Sequence, residues 1–169
     1  MEQNINNKIE IKDKLKNFYN KNKLKIYTIF FVLISVFFVF IIYKVNLQKK
    51  NELISENYIK AGLYLNSGKK KESLDIYEKI ILSGNKFYSI LALSNVLEKN
   101  LITDQKIILD YFLIVKEKVK LNDQKDLLTF KKALYLIKNQ NNNEAEKLLK
   151  NLINNNSKFK SLAEEIITK

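Results

Sequence analysis

Residues 54–85 read ISENYIKAGLYLNSGKKKESLDIYEKIILSGN. The stretch breaks at Ser67-Gly68 and again at Ser83-Gly84-Asn85, and each break follows a run with helical apolar spacing. A glycine just past such a run is a C-terminal stop, because glycine turns left-handed without a steric penalty. A two-residue connection folds the second helix back on the first, so the stretch predicts an antiparallel helical hairpin. Ala61 and Ser73 bring small side chains to the two helices, and Tyr64 and Tyr77 follow them at three and four residues. Two helices approach closely only where a side chain is nearly absent, and the aromatics fill the wedge beside them.

This pattern resembles the 34-residue tetratricopeptide repeat, a helix-turn-helix unit that stacks into a solenoid. A second copy fits 127–157, where Ala133, Leu136, Ala145 and Leu149 fall at the same places. Ala61 and Ala133 lie 72 residues apart, and so do Ser73 and Ala145. That interval holds one more, degenerate, hairpin: KFYSILALSNVLEKN, with Tyr88, Leu91 and Ala92, then a longer turn, then TDQKIILDYFLIVKEKVK. The helix carrying Ile107, Ile108, Tyr111, Phe112 and Val115 is apolar over much of its girth and reads as central.

The whole stretch after residue 43 reads as helix. The clearest stripe is Ala145, Leu148, Leu149, Leu152 and Ile153. Seven helices are expected near 51–66, 69–83, 86–99, 104–120, 123–139, 143–154 and 158–168, with Thr103, Asn122 and Ser157 as N-caps. The fold class is all-α: one N-terminal transmembrane helix, then a tetratricopeptide-like stack of antiparallel hairpins.

Upstream, residues 26–43 read IYTIFFVLISVFFVFIIY without a charge. As a helix the run rises about 27 Å, close to the roughly 30 Å hydrocarbon core. Tyr27 and Tyr43 sit where aromatic rings favour the headgroups, and Lys25 and Lys44 flank the run and can snorkel. A cleaved signal peptide is the rival reading. The run outlasts a usual h-region, and KVNLQKKNEL behind it has no small-x-small pair, so an uncleaved signal anchor is expected. Lys8, Lys12, Lys14, Lys16, Lys21, Lys23 and Lys25 precede the span, against Lys44, Lys49 and Lys50 just after it. The positive-inside rule then keeps residues 1–25 in the cytoplasm and exports residues 44–169, to the periplasm if the cell is a two-membrane bacterium. The expected location is the inner membrane, crossed once. In the tail, Ile5, Ile9, Leu15 and Phe18 allow an amphipathic helix on the inner leaflet, and a flexible basic leader is the equal alternative. Ser35 is the only very small residue of the span, so no Gly-x-x-x-Gly dimer face is expected.

The chain has no Cys, so disulfides and thiolate chemistry are excluded, and no His, the commonest general base and metal ligand. Every basic residue is Lys, and the Arg fork of specific phosphate or guanine recognition is missing. The formal net charge of +12 comes with abundant Lys, Asn and Ile, the mark of A/T-rich coding, and reads as a solvated surface. Glu56, Asp75, Asp104 and Asp110 have nothing to organise them into a catalytic centre. The expectation is a non-enzyme without cofactor, metal, small-molecule substrate or specific nucleic acid.

A short basic tail, one span and a tetratricopeptide-like domain resemble the ancillary SecYEG translocon subunit family. NKFYSILALSNVLEKN (85–100) looks like that family's leucine- and alanine-rich helix following a loop, and SKFKSLAEEIITK (157–169), with Phe159 and Ala163, looks like its closing helix. Against that family the chain is short. The resemblance implies a membrane-anchored periplasmic interaction scaffold that associates with the SecYEG translocon and with periplasmic chaperones receiving newly exported proteins. The residues alone leave a second reading open, an envelope-assembly or cell-division scaffold using the same groove. In either case Tyr58, Leu65, Phe130, Leu134 and Ile137 are expected to face or border a protein-binding groove along the first helices of the hairpins.

Overall fold

The computed structural model describes residues 2–168, with side chains described at 12, 14 and 16–168. It is all-helical among the described residues: α1 (Glu2–Asn66), α2 (Lys70–Leu82), α3 (Tyr88–Glu98), α4 (Gln105–Lys118), α5 (Asn122–Lys138), α6 (Asn142–Asn154) and α7 (Lys160–Ile167). The chain divides into two units, residues 1–49 and 50–169.

The first unit lies within α1, which is long and apolar enough to cross a membrane and has no buried residue in its apolar window. Its serine and threonine in the apolar run bond back along the helix: Thr28 Oγ1 donates to the Leu24 carbonyl and Ser35 Oγ to the Phe31 carbonyl, both at 2.9 Å. Both aliphatic hydroxyls are thus bonded within the helix, as suits a hydrocarbon environment, and the Tyr27 hydroxyl at the head of the apolar run bonds to that of Tyr19 at 2.7 Å. Phe18 is exposed, while Ile5, Ile9 and Leu15 lie outside the described side chains. The separate helix expected near 51–66 is instead the last part of α1, with the same end at Asn66. Nothing between 44 and 61 is glycine or proline, so no local signal interrupts the helix there.

In the second unit the observed ends fall within about two residues of those expected. Gly68 (φ 76°) and Gly84 (φ 67°) are left-handed stops, and Asn100, Gln140 and Asn156 adopt the same conformation at φ 47°, 61° and 50°. Four of these ends share one bond pair. The residue after the left-handed one donates five positions back (Lys69 to Tyr64, Leu101 to Val96, Asn141 to Leu136, Ser157 to Leu152) at 2.9–3.0 Å. The left-handed residue itself donates three back, which completes a Schellman closure each time.

The N-caps differ from expectation. Asp104, not Thr103, caps α4, its carboxylate accepting from Lys106 N at 2.8 Å and Ile107 N at 3.3 Å. A charged acceptor with two oxygens outcompetes a single hydroxyl next to it. Asn122 is the first residue of α5, behind Leu121, which makes no side-chain cap. Ser157 accepts from Phe159 N, one turn ahead of α7 proper, and Asn85 does the same for Phe87 and Tyr88 ahead of α3.

Packing follows the small residues. Ala61, Ser73, Ala133 and Ala145 are all fully buried, and Ser73 Oγ donates to the Ala61 carbonyl across the first hairpin at 2.8 Å. One core gathers Ile54 and Ala61 of α1 with Tyr77, Ile80 and Ile81, Leu93 and Val96, Ile108, Phe112 and Val115, and Leu128. A second gathers Ala133 and Leu136 of α5 with Ala145, Leu149 and Leu152 of α6 and Ala163 of α7. Helix α5 thus serves both cores. Helix α4 packs on α2, α3 and α5, as its apolar girth requires, although Ile107 turns to solvent.

Candidate protein-binding surface

The repeat organises aromatic wedges at equivalent places. Tyr58 packs on Tyr77 at 5.9 Å between centroids and on Tyr88 at 5.6 Å. Phe130, 72 residues on, stacks on Phe159 at 5.2 Å. Asn95 of α3 donates its two amide hydrogens to the hydroxyls of Tyr58 and Tyr77, each at 3.0 Å, and Tyr88 donates to Ser55 Oγ at 2.7 Å. Tyr58 and Phe130 are half-buried wedges between hairpins, and Leu65 is half-buried against the first core. Tyr64, expected as a wedge, is half-buried with the Lys60 and Lys69 ammoniums each 5.7 Å from its ring centre.

Leu134 is different. It is 42 % exposed and lines an open cleft of about 280 Å³ between α3 and α5. Leu97, Ser94 and Glu98 come from α3; Lys131, Tyr135 and Lys138 accompany Leu134 on α5. The α5 residues are three and four apart, so one helical face carries them all. Leu97, Leu134 and the Tyr135 ring form an apolar strip. Around it Lys131 pairs with Glu98 at 3.5 Å and Lys138 Nζ donates to Asn100 Oδ1 at 2.6 Å. Tyr135 is fixed from behind by Phe112 (6.2 Å), and burial, helped by the charge of Asp104, raises its phenol pKa. An apolar side chain of a bound peptide fits the strip, with carbonyl or carboxylate groups able to reach the two lysines.

Ile137 lines another cleft, of about 500 Å³, with Ala145, Leu149 and Glu146 of α6 and Ile166 and Ile167 of α7. The five residues expected at one groove therefore do not line one. Leu134 reaches the α3–α5 cleft, Ile137 the α6–α7 cleft, and Tyr58, Leu65 and Phe130 pack in or against the cores. The strip's polar flank, Glu98, Lys131 and Lys138, escaped a reading that sought apolar residues. The signal was present: Lys131 and Lys138 stand three before and four after Leu134.

No group of three or more carboxylates that could hold a metal occurs among the described residues. Comparison with family models, with curated proteins and with solved structures finds no match.

Proposed function

We propose that this chain is a non-enzymatic, membrane-anchored scaffold that binds exported polypeptides or their chaperones through its helical stack. In this reading α1 is the signal anchor, residues 1–25 stay in the cytoplasm and the stack works in the periplasm beside the SecYEG translocon. The observation that carries the binding role is the α3–α5 cleft, where exposed Leu134 lies beside half-buried Leu97 and Tyr135 between lysines and a glutamate. A chain anchored by one apolar helix keeps such a cleft near the membrane, where exported chains emerge. The translocon assignment rests on the likeness in organisation: basic tail, span, hairpin stack.

Purification of the full-length tagged protein in mild detergent, with partners identified by mass spectrometry, tests it. Recovery of SecY, SecE and SecG with a membrane-anchored peptidyl-prolyl isomerase-type chaperone, and loss of the chaperone on Leu134→Glu, is the expected result. Division or outer-membrane assembly proteins in their place would remove the translocon role and keep the scaffold. Unchanged partners on Leu134→Glu would move the binding surface elsewhere.

A further inference from the structure

Short turns reverse the chain between successive helices of the second unit, so its loops gather at two ends. One end holds the turns 83–87, 119–121 and 155–159 and the entry of α1. Three contacts tie these together. Asn85 Nδ2 donates to Asn51 Oδ1 of α1 at 2.9 Å. A β-carbon at Gly84 would lie 3.2 Å from Lys118 Cγ, so the end of α4 lies against the first turn. Lys158 pairs with Asp123, which joins the third turn to the start of α5. The other end holds 67–69, 99–104 and 139–141, where Lys138 reaches Asn100.

The two ends differ in what they expose. Leu82 (57 %), Phe87 (56 %) and Leu121 (64 %) stand exposed at the first. At the second, Leu101 and Ile102 are the only large apolar loop residues, and both are half-buried against the first core. Leu121 also occupies the cap position of α5, where a short polar side chain would accept a first-turn N–H. Leucine there forgoes the bond and does not stabilise the fold. Lys86 and Lys120 precede Phe87 and Leu121, and Lys118 lies at Gly84; all three are exposed and in no ion pair among the described residues. With Lys158 and Lys160 they outnumber the carboxylates of this end, Glu52, Glu117 and Asp123. Lysines occur at both ends, whereas exposed apolar loop residues occur only at this one.

From this we infer that this end of the stack is a membrane-docking face: Leu82, Phe87 and Leu121 enter the headgroup layer, and Lys86, Lys118 and Lys120 hold anionic lipid headgroups. Interfacial binding grows with buried apolar area and with attraction of lysines to anionic lipid. Aromatic rings favour the headgroup level, and lysine stems lie along apolar surface with their charge in water. Charge selects an anionic surface, and the chain supplies one, because only residues 44–50 separate this end from the apolar run. The inference rests on the reading of α1 as a membrane anchor, and not on the compartment or the translocon.

The chain has no cysteine, so Asn122→Cys places a single fluorophore on this face and Ser67→Cys one at the far end. Full-length protein is put into nanodiscs of phosphatidylglycerol or phosphatidylcholine that carry a lipid with a nitroxide headgroup, and quenching is read. The tether alone would hold the label near either lipid, so dependence on lipid charge is the deciding readout. Quenching of the Asn122→Cys label is expected to be about threefold stronger in phosphatidylglycerol, and to lose that excess in about 0.5 M salt. Lys86→Gln, Lys118→Gln and Lys120→Gln combined are expected to abolish the excess, and Phe87→Ser to reduce it. The Ser67→Cys label is expected to ignore lipid charge. Quenching at Asn122→Cys that is indifferent to lipid charge, salt and these substitutions would overturn the proposal and leave the face to a protein partner. Equal lipid dependence at both ends would overturn it too. Protein that does not elute with the discs would remove the anchor and this face together, an outcome distinct from incorporation without docking.

Discussion

Tyr111 shows how one side chain ties two helices to pH. Burial, then the hydrogen bond from its hydroxyl to Glu78 and the charge of that carboxylate, push its pKa up to about 12 from 10.0. The native state therefore holds a proton that the unfolded chain releases at lower pH. The resulting stabilisation is complete below pH 10 and is lost as pH rises toward 12. Tyr111→Phe is expected to flatten the decline of the urea midpoint over that window, followed by tyrosine fluorescence. Tyr77 and Tyr135, raised chiefly by burial, keep part of the decline. A slope as steep as the wild type's would mean that Tyr111 is not the group responsible. Asp104 is the second residue whose role is local. Asp104→Ala removes both cap bonds of α4 and is expected to cost about 1 kcal/mol in the same measurement. Thr103→Ala, by contrast, is expected to cost less than about 0.5 kcal/mol, because Thr103 is exposed and caps nothing.

The elements of the second unit end by a common device, and the residue used to build it varies. Gly68 turns left-handed without strain, whereas Gln140, 72 residues on, takes φ 61° with a β-carbon in place. That conformation costs an L-residue roughly 1–2 kcal/mol, part of which glycine returns through its freer unfolded chain. Gln140→Gly is accordingly expected to stabilise the domain by up to about 1 kcal/mol, and Gly68→Ala to destabilise it by about as much. Chemical denaturation of the two variants checks the pair, and shifts of equal sign would count against it. Helix positions were legible because apolar period and stop residues are local signals. The cap of α4 was not, because Thr103 and Asp104 compete for the same backbone N–H groups and only the final geometry decides between them; α5 starts one residue earlier than expected, at Asn122, with no side-chain cap.

At the scale of the molecule, the lysine asymmetry about residues 26–43 makes a topological prediction that the absence of cysteine renders easy to test. Asn17→Cys and Asn155→Cys both replace exposed residues. In spheroplasts a membrane-impermeant maleimide is expected to label the second and spare the first until the membrane is opened. Labelling of Asn17→Cys alone would invert the orientation and remove the periplasmic reading with it.

Legible in the sequence alone were the apolar run, the helices from α2 to α7 to within about two residues, and the small residues at their crossings. Each rests on spacing within a few residues or on a repeat of 72. The separate start expected near 51 was not borne out, because no local stop interrupts α1 there. Tertiary structure alone decided which apolar side chains close a core and which stay open. Leu134 and Ile137 share one helix and one periodic pattern, yet they line two different clefts. Tyr58 and Phe130, equally apolar in pattern, are taken up as wedges by Tyr88 and Phe159. The period of a helix says that a face must be covered. What covers it depends on partners distant in sequence, such as α4 on α2 and α3, and those come together only in the fold.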